Sequence, residues 1–485
     1  MEHFVMINTS QQIQVASNSP ARSRNYSEII AYLDQHWLQV PLDYTKARML
    51  QIDALLQYPS REFNTILVAG TNGKSLTAHF ITKLCQAANL TVGCLTSPHI
   101  LNYEERIAIN QTNINPKEFT ELANQVINTI ETAGISANSL EILTAMSLLY
   151  FKAQKVNLAV LELSENRAWD PATICNPKIL AVTRIINHAV TEINLSNNQD
   201  LGLQAEIATM AEIATKDCTV ISADQSKINL NLLQTHIQAQ GAHWVMPVRK
   251  LIPLDYPFEQ LHGRCAALAE RVVQIYVDQY LLDPDLKNKL QILNRPKGLR
   301  GRPKLETKRI AELDTEPTLE SFWKTCVSNL PGRFQLLKQA KHTVLLDNAS
   351  NLDALENLLL GIRLLHYKNN INGLAIIIGC KNSEFETEPL LRVLRYFFKK
   401  TAGQIIFCPV PKTLNPKKTS YQVTQPWEPD KLTLLARNAK LKARSARNLT
   451  EALEWAEKAV DIRNGLVVIT GSQNILANYW DLKKN

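Results

Sequence analysis

At 485 residues and 45% hydrophobic content, the chain is long enough to bury two or three separate cores. No apolar run approaches the roughly 18–20 residues that cross a bilayer, and the polar stretch 1–27 has no signal-peptide-like apolar segment, so no membrane partner is expected. The formal charge of +8 suits anionic ligands but selects none, because basic surfaces are commonly solvated faces. Eight cysteines are scattered without a CxxC pair or metal-ligand spacing, and Cys85, Cys94 and Cys408 sit in apolar runs. They read as buried thiols of a reducing, cytoplasmic compartment.

Residues 1–27 read as a disordered lead-in. Short β-branched runs then alternate with longer stretches of helical periodicity. Runs at 65–69, 91–95, 158–163, 179–186 and 219–222 form a first set; 343–346, 374–378, 404–410 and 466–470 form a second. Apolar strands separated by helices predict an α/β chain whose parallel sheets are covered on both faces. Between the sets, residues 294–309 carry seven basic residues and two prolines with almost no apolar content. Such a stretch suits an exposed linker, followed by a connecting helix over 319–330. Its Arg300-Gly301-Arg302-Pro303-Lys304 resembles an AT-hook core, but a solvated basic linker accounts for it and no nucleic-acid partner is expected.

After the run 65–69 comes Gly70-Thr71-Asn72-Gly73-Lys74-Ser75, then a helical stretch over 76–88. Glycines let such a loop curl its N–H groups toward a phosphate. The helix N-terminus adds partial positive charge, Lys74 neutralises β/γ oxygens, and Ser75 can hold Mg²⁺.

The GTNGK form of that loop, followed by Thr96-Ser97-Pro98-His99-Ile100 and Asn102-Tyr103-Glu104-Glu105-Arg106-Ile107, resembles the folylpolyglutamate synthase/dihydrofolate synthase family of the Mur-ligase superfamily. Further likenesses lie in Glu141-Ile142-Leu143-Thr144-Ala145, in Leu161-Glu162-Leu163, in His188, in Gly263 and in Pro331-Gly332-Arg333-Phe334-Gln335. Asp347-Asn348-Ala349-Ser350-Asn351 and Val468-Ile469-Thr470-Gly471-Ser472 extend them to the C-terminal region. The resemblance implies a P-loop-containing N-terminal Mur-ligase-type ATPase domain (28–293), a linker and connecting helix (294–330), and a smaller Rossmann-like C-terminal domain (331–485). It implies ATP and Mg²⁺ as cofactors, folate or dihydropteroate and L-glutamate as substrates, and a monomer.

By the same resemblance Gly70, Thr71, Asn72, Gly73, Lys74, Ser75, Arg333 and Asp347 would bind ATP. Ser75, Ser97, Glu162 and His188 would hold metal, and Pro98, His99, Tyr103 and Arg106 would line the substrate region. Lys74, His188 and Arg333 are the expected catalytic residues. The chain also departs from the family's pattern. The glycine-rich loop reads Ser164-Glu165-Asn166-Arg167-Ala168-Trp169-Asp170, and DH has become Asn187-His188. The KAGI motif, whose carbamylated lysine binds a second metal, reads Met210-Ala211-Glu212-Ile213, and HQxxN reads Cys265-Ala266-Ala267-Leu268-Ala269. Three readings follow from this mixture. The chain is a ligase adding glutamate through an acyl phosphate, or a pseudoenzyme keeping the scaffold as a nucleotide- or partner-binding module, or a sister Mur-type ligase with another substrate.

Overall fold

The computed structural model describes residues 22–37, 46–164, 169–186, 199–281, 319–326, 330–339, 342–380, 382–383, 385–410 and 425–484. His188, Asn187, the stretch 165–168, the basic segment 294–309 and residues 1–21 of the expected lead-in lie outside them.

The first unit holds helices α1 (Tyr26–Gln35), α2 (Lys46–Leu55), α3 (Lys74–Ala87), α4 (Pro116–Thr132), α5 (Ser139–Ala153), α6 (Gln199–Ala211), α7 (Lys227–Ala239), α8 (Phe258–Gln279) and α9 (Leu319–Thr325). Its strands are β1 (Asn64–Ala69), β2 (Val92–Leu95), β3 (Ile107–Ile109), β4 (Thr112–Asn113), β5 (Leu158–Glu162), β6 (Ile179–Val182), β7 (Thr219–Ser222) and β8 (His243–Trp244). They form one sheet in the order β4-β3-β2-β5-β1-β6-β7-β8. All pairs from β2 to β8 are parallel, while β3 and β4 turn back antiparallel at one edge.

The second unit comprises β9 (Gln335–Lys338), β10 (Thr343–Asp347), α10 (Leu352–Asn369), β11 (Leu374–Cys380), β12 (Asn382–Ser383), α11 (Thr387–Phe398), β13 (Gln404–Pro409), β14 (Gln425–Pro426), α12 (Pro429–Asn438), β15 (Ala443–Ser445), α13 (Leu449–Ala459), β16 (Leu466–Thr470) and α14 (Gln473–Lys484). Its six-stranded sheet runs β15-β13-β11-β16-β10-β9, parallel except for β9. The α/β expectation is met, with a correction: both sheets are mixed. The antiparallel edge strands β3, β4 and β9 are too short to show a period of their own.

Both faces of each sheet are covered, and the side-chain alternation of the strands shows it. Along β1, Ile66 and Val68 enter the core under α3 and α8, while Leu67 and Ala69 enter the core under α4 and α5. Each of these larger side chains contributes about 1.5–3 kcal/mol by leaving water. In β10, Leu345 faces one core and Val344 and Leu346 the other.

Helix starts follow local chemistry. Asn25 and Glu28 form a capping box on α1, Asn138 and Glu141 another on α5, and Asn351 caps α10 by accepting from Ala354 N at 3.0 Å. Arg24, just before α1, is buried and donates to both oxygens of Glu131 on α4. Trp323 of α9 is buried against Phe80, and so anchors that helix to the first unit. The strand expected over 179–186 stops at Val182. There Thr183 N still donates to Ala69 O, but Arg184 leaves the sheet and forms an isolated bridge with Asn72.

Candidate active site

The site begins where β1 delivers the chain to α3. Gly70 has φ +116° and Gly73 φ +92°, left-handed values that glycine adopts without strain. A Cβ at Gly73 would lie 2.9 Å from Cys265 Sγ, so the α8 surface seals the back of the loop. Thr71 N donates to Arg184 O at 2.6 Å, and Thr71 Oγ1 accepts from Ile186 N at 3.1 Å. Lys74 opens α3 and folds its Nζ back to Gly70 O at 2.9 Å. The α3 N-terminus and the lysine thus lie together at the curled backbone of the loop, an arrangement that favours an anion.

Glu162, the last residue of β5, faces this loop and is 3% exposed. Ser75 Oγ donates to its Oε1 at 3.1 Å and Ser97 N to its Oε2 at 3.2 Å. Burial raises the Glu162 pKa, while the charges of Lys74 and Arg333 and the two hydrogen bonds pull it back. Ser97 Oγ in turn accepts from the Arg106 guanidinium at 2.9 Å.

The segment around Ser97 is pinned by Glu105, whose carboxylate accepts from Ile100 N, Leu101 N and Asn102 N at 2.8–3.0 Å. It carries Pro98 and His99 past Tyr103, with the His99 and Tyr103 rings 4.3 Å apart. Arg106 is buried and lies 4.9 Å from the Trp37 ring; burial lowers its pKa to about 10. Burial, then the charge of Arg106, pushes His99 down to about 3, so its imidazole is neutral at pH 7. Tyr103 donates to Asp34 Oδ1 at 2.7 Å. Trp37 and Asp34 went unnoticed in the sequence, because nothing in a local pattern ties them to residues almost seventy positions away.

The second unit completes the arrangement. Arg333 donates to Ser75 Oγ at 3.3 Å. Asp347, at the end of β10, accepts from Phe334 N at 2.7 Å, and burial pushes its carboxyl up to about 7 against the pull of Arg333. Asn351 and Asn72 exchange amide hydrogen bonds at 2.9 and 3.1 Å. Asp353, in the first turn of α10, accepts from Asn72 at 2.8 Å and pairs with Arg184 at 2.5 Å. Arg184 and Asp353 carried no sequence signal.

The structure therefore gathers Gly70, Thr71, Asn72, Gly73, Lys74, Ser75, Ser97, Glu162 and Arg333 on one side, with Pro98, His99, Tyr103 and Arg106 adjoining through Ser97. No group of three or more His, Cys, Asp or Glu suited to a metal occurs among the described residues. Met210 and Ala211, at the positions of the family's lysine motif, are fully buried in the core under α4 and α5, and Glu212 beside them is exposed. Ala266, Ala267, Leu268 and Ala269 are likewise core residues. A cavity of about 580 Å³ lined by Asp53, Asn64, Thr65 and Lys178 opens at the other end of β1, away from the loop. All eight cysteines are free, and no described helix is long and apolar enough to cross a membrane.

No family model matches the chain. The chain is 26% identical over 325 residues to a dihydrofolate synthase/folylpolyglutamate synthase of Bacillus subtilis, covering 64% of this chain and 70% of that protein. It is 27% identical over 222 residues to the Mycobacterium tuberculosis protein of the same name, covering 43% and 46%. Among solved structures, Mycobacterium tuberculosis folylpolyglutamate synthase complexed with ADP superposes with a TM-score of 0.70 at 20% identity, over 95% of this chain and 98% of that one. The Yersinia pestis bifunctional enzyme complexed with AMPPNP and a Mn ion gives 0.70 at 18% identity, over 96% and 100%. The fold is thus shared over nearly the whole length. In sequence the chain is similar to dihydrofolate synthase/folylpolyglutamate synthases, and it shares its fold with the solved structures of folylpolyglutamate synthases.

Proposed function

We propose that the chain is an ATP-dependent ligase that joins L-glutamate to the carboxylate of a folate or a dihydropteroate through an acyl phosphate, acting as a monomer. The observation that carries this reading is the convergence of Lys74, Ser75 and Glu162 with Arg333 of the second unit around one loop. Relatives named for this chemistry, and a Yersinia pestis neighbour solved with Mn, AMPPNP and L-glutamate bound, support it.

The chemistry asks for positioning and charge neutralisation more than covalent help. A carboxylate oxygen of the substrate attacks the terminal phosphorus of ATP and ADP leaves. The glutamate amine attacks the acyl carbon, inorganic phosphate leaves, and the amine proton passes to solvent. Lys74 neutralises the phosphate oxygens from inside the loop. Arg333 approaches from the second unit with a fork of donors, so nucleotide is gripped from both sides. The half-buried Trp37 and His99 rings, packed on the buried Tyr103, would receive the pterin-bearing end, with Arg106 linking that wall to the loop through Ser97.

Ser75, Ser97 and Glu162 present hard oxygens, and Glu162 is a buried carboxylate between two serines, a donor set that fits Mg²⁺. With His188, outside the described residues, they would hold the ion, which when bound neutralises phosphate charge. Met210 and Ala211 supply no oxygen for a second ion, so we place turnover below the roughly 1–10³ s⁻¹ usual for enzymes. Their burial in the core is also the observation that favours the pseudoenzyme reading.

Purified chain given ATP, Mg²⁺, L-glutamate and either dihydropteroate or tetrahydrofolate should form ADP over many turnovers only when every component is present. Binding of a non-hydrolysable ATP analogue without ADP release from any mixture would replace the ligase by the pseudoenzyme.

A further inference from the structure

We propose that Arg184 and Asp353 form an interdomain latch that clamps α10 onto the phosphate loop and balances the charge beside it. Arg184 acts at both ends. Its backbone carbonyl accepts from Thr71 N at 2.6 Å and it bridges Asn72, so it is part of the wall that shapes the loop. Its side chain pairs with Asp353 of the second unit at 2.5 Å. The other oxygen of Asp353 accepts from Asn72 at 2.8 Å, and the Asn72–Asn351 amide pair stands alongside. Loop and second unit are therefore joined by one ion pair, and by three hydrogen bonds across a sequence separation of about 280 residues.

The charge pattern explains why the pair matters. Asp353 places a carboxylate against a loop built for an anion, an unfavourable position unless a cation answers it. Arg184 is that cation. Arg249 and Arg264 are close enough for Arg184 and Arg249 to act on the Arg264 guanidinium, so removing Asp353 would leave three like charges near one another and near the loop. The two halves of the latch thus have opposite effects on an incoming triphosphate, although both hold the units together. Asp353 is the better covered, with 19% of its side chain exposed against 57% for Arg184. Salt should weaken the pair without abolishing it.

The latch can be tested on the full chain without nucleotide; only the affinity arm rests on the nucleotide-binding reading above. Arg184→Ala and Asp353→Asn should each enlarge the ligand-free radius of gyration in small-angle scattering. The exchange of Arg184→Asp with Asp353→Arg should restore the compact value. With a non-hydrolysable ATP analogue, Arg184→Ala should bind about fivefold more weakly. Asp353→Asn should bind as well as the parent chain or better. Unchanged scattering in both single variants overturns the latch, as does weakening of equal size in both binding experiments. A parent chain that binds no analogue overturns the nucleotide reading alone, and the scattering arm then decides the latch.

Discussion

Two regions of the first unit, both set apart by their resemblance to family motifs, are built in opposite ways. At the β1–α3 loop, polar groups from β5, the Ser97 segment and the second unit still converge on Lys74 and Ser75. At the end of α6 and along α8, the positions resembling the family's lysine and adenine motifs hold Met210, Ala211 and Ala266 to Ala269, all packed as core. The loop is ringed by polar groups, whereas the other positions hold apolar side chains packed as core. A phosphate loop cannot easily be recast as core, because its curled backbone leaves N–H groups that need a polar partner. A helix face can change from polar to apolar one residue at a time.

The sharpest way to break that comparison is to restore the lost lysine. Ala211 is fully buried among apolar side chains, so Ala211→Lys places an unpaired ammonium in the core. It should cost about 3–5 kcal/mol in urea unfolding and bring no gain in turnover. A variant as stable as the parent, and faster when bicarbonate is supplied, would show that the α6 terminus still serves the site.

The second expectation concerns pH. Asp347 is raised to about 7 by burial, so between the ordinary Asp value and about 7 the folded chain holds a proton that the unfolded chain has lost. Stability should therefore fall as pH rises through that window and level off above it. The effect is at most about 1.4 kcal/mol for each unit by which the folded pKa exceeds the unfolded one. Asp347→Asn cannot titrate and should flatten this part of the profile in denaturant unfolding at pH 5 and pH 8. An identical slope in both proteins would mean that Asp347 is well solvated.

How far the sequence foretold this layout depends on the range of the interaction. β1, the loop and the start of α3 were legible because an apolar run, two glycines and a helical period lie side by side. β7 and β16 have the bounds that their β-branched runs suggest. The strand expected over 179–186 was overextended because Ile185 and Ile186 keep an apolar pattern. Their N–H groups are instead taken by Asp224 and Thr71, pairings that exist only once the sheet is assembled. The Asn72–Asp353 contact and the Trp37–Arg106 stacking were out of reach for the same reason. His188 lies outside the described residues, so its place beside Glu162 is carried by the family resemblance.

A third expectation tests the retained half directly. Lys74→Ala removes the charge at the centre of the loop and should weaken ATP binding by more than tenfold, about 1.4 kcal/mol, in calorimetry. The partial exposure of Lys74 means that stability should hardly change. Equal affinity in both proteins would show that nucleotide no longer uses the loop.

The smallest expected effect separates charge from geometry at Arg333. This side chain reaches Ser75 from the second unit at 3.3 Å, and its charge acts on both Glu162 and Asp347. Arg333→Ala should weaken the ATP analogue by about fivefold, roughly 1 kcal/mol, because the group is only partly buried and water screens it. Arg333→Lys keeps the charge but loses the planar fork, since an ammonium meets phosphate as a point charge. It should recover only part of that loss. Full recovery with lysine would mean that charge alone is used. A loss with lysine as large as with alanine would mean that the fork is what grips the phosphate. An alanine variant that binds as well as the parent would remove Arg333 from the site, leaving the loop and Glu162 to hold nucleotide from the first unit alone.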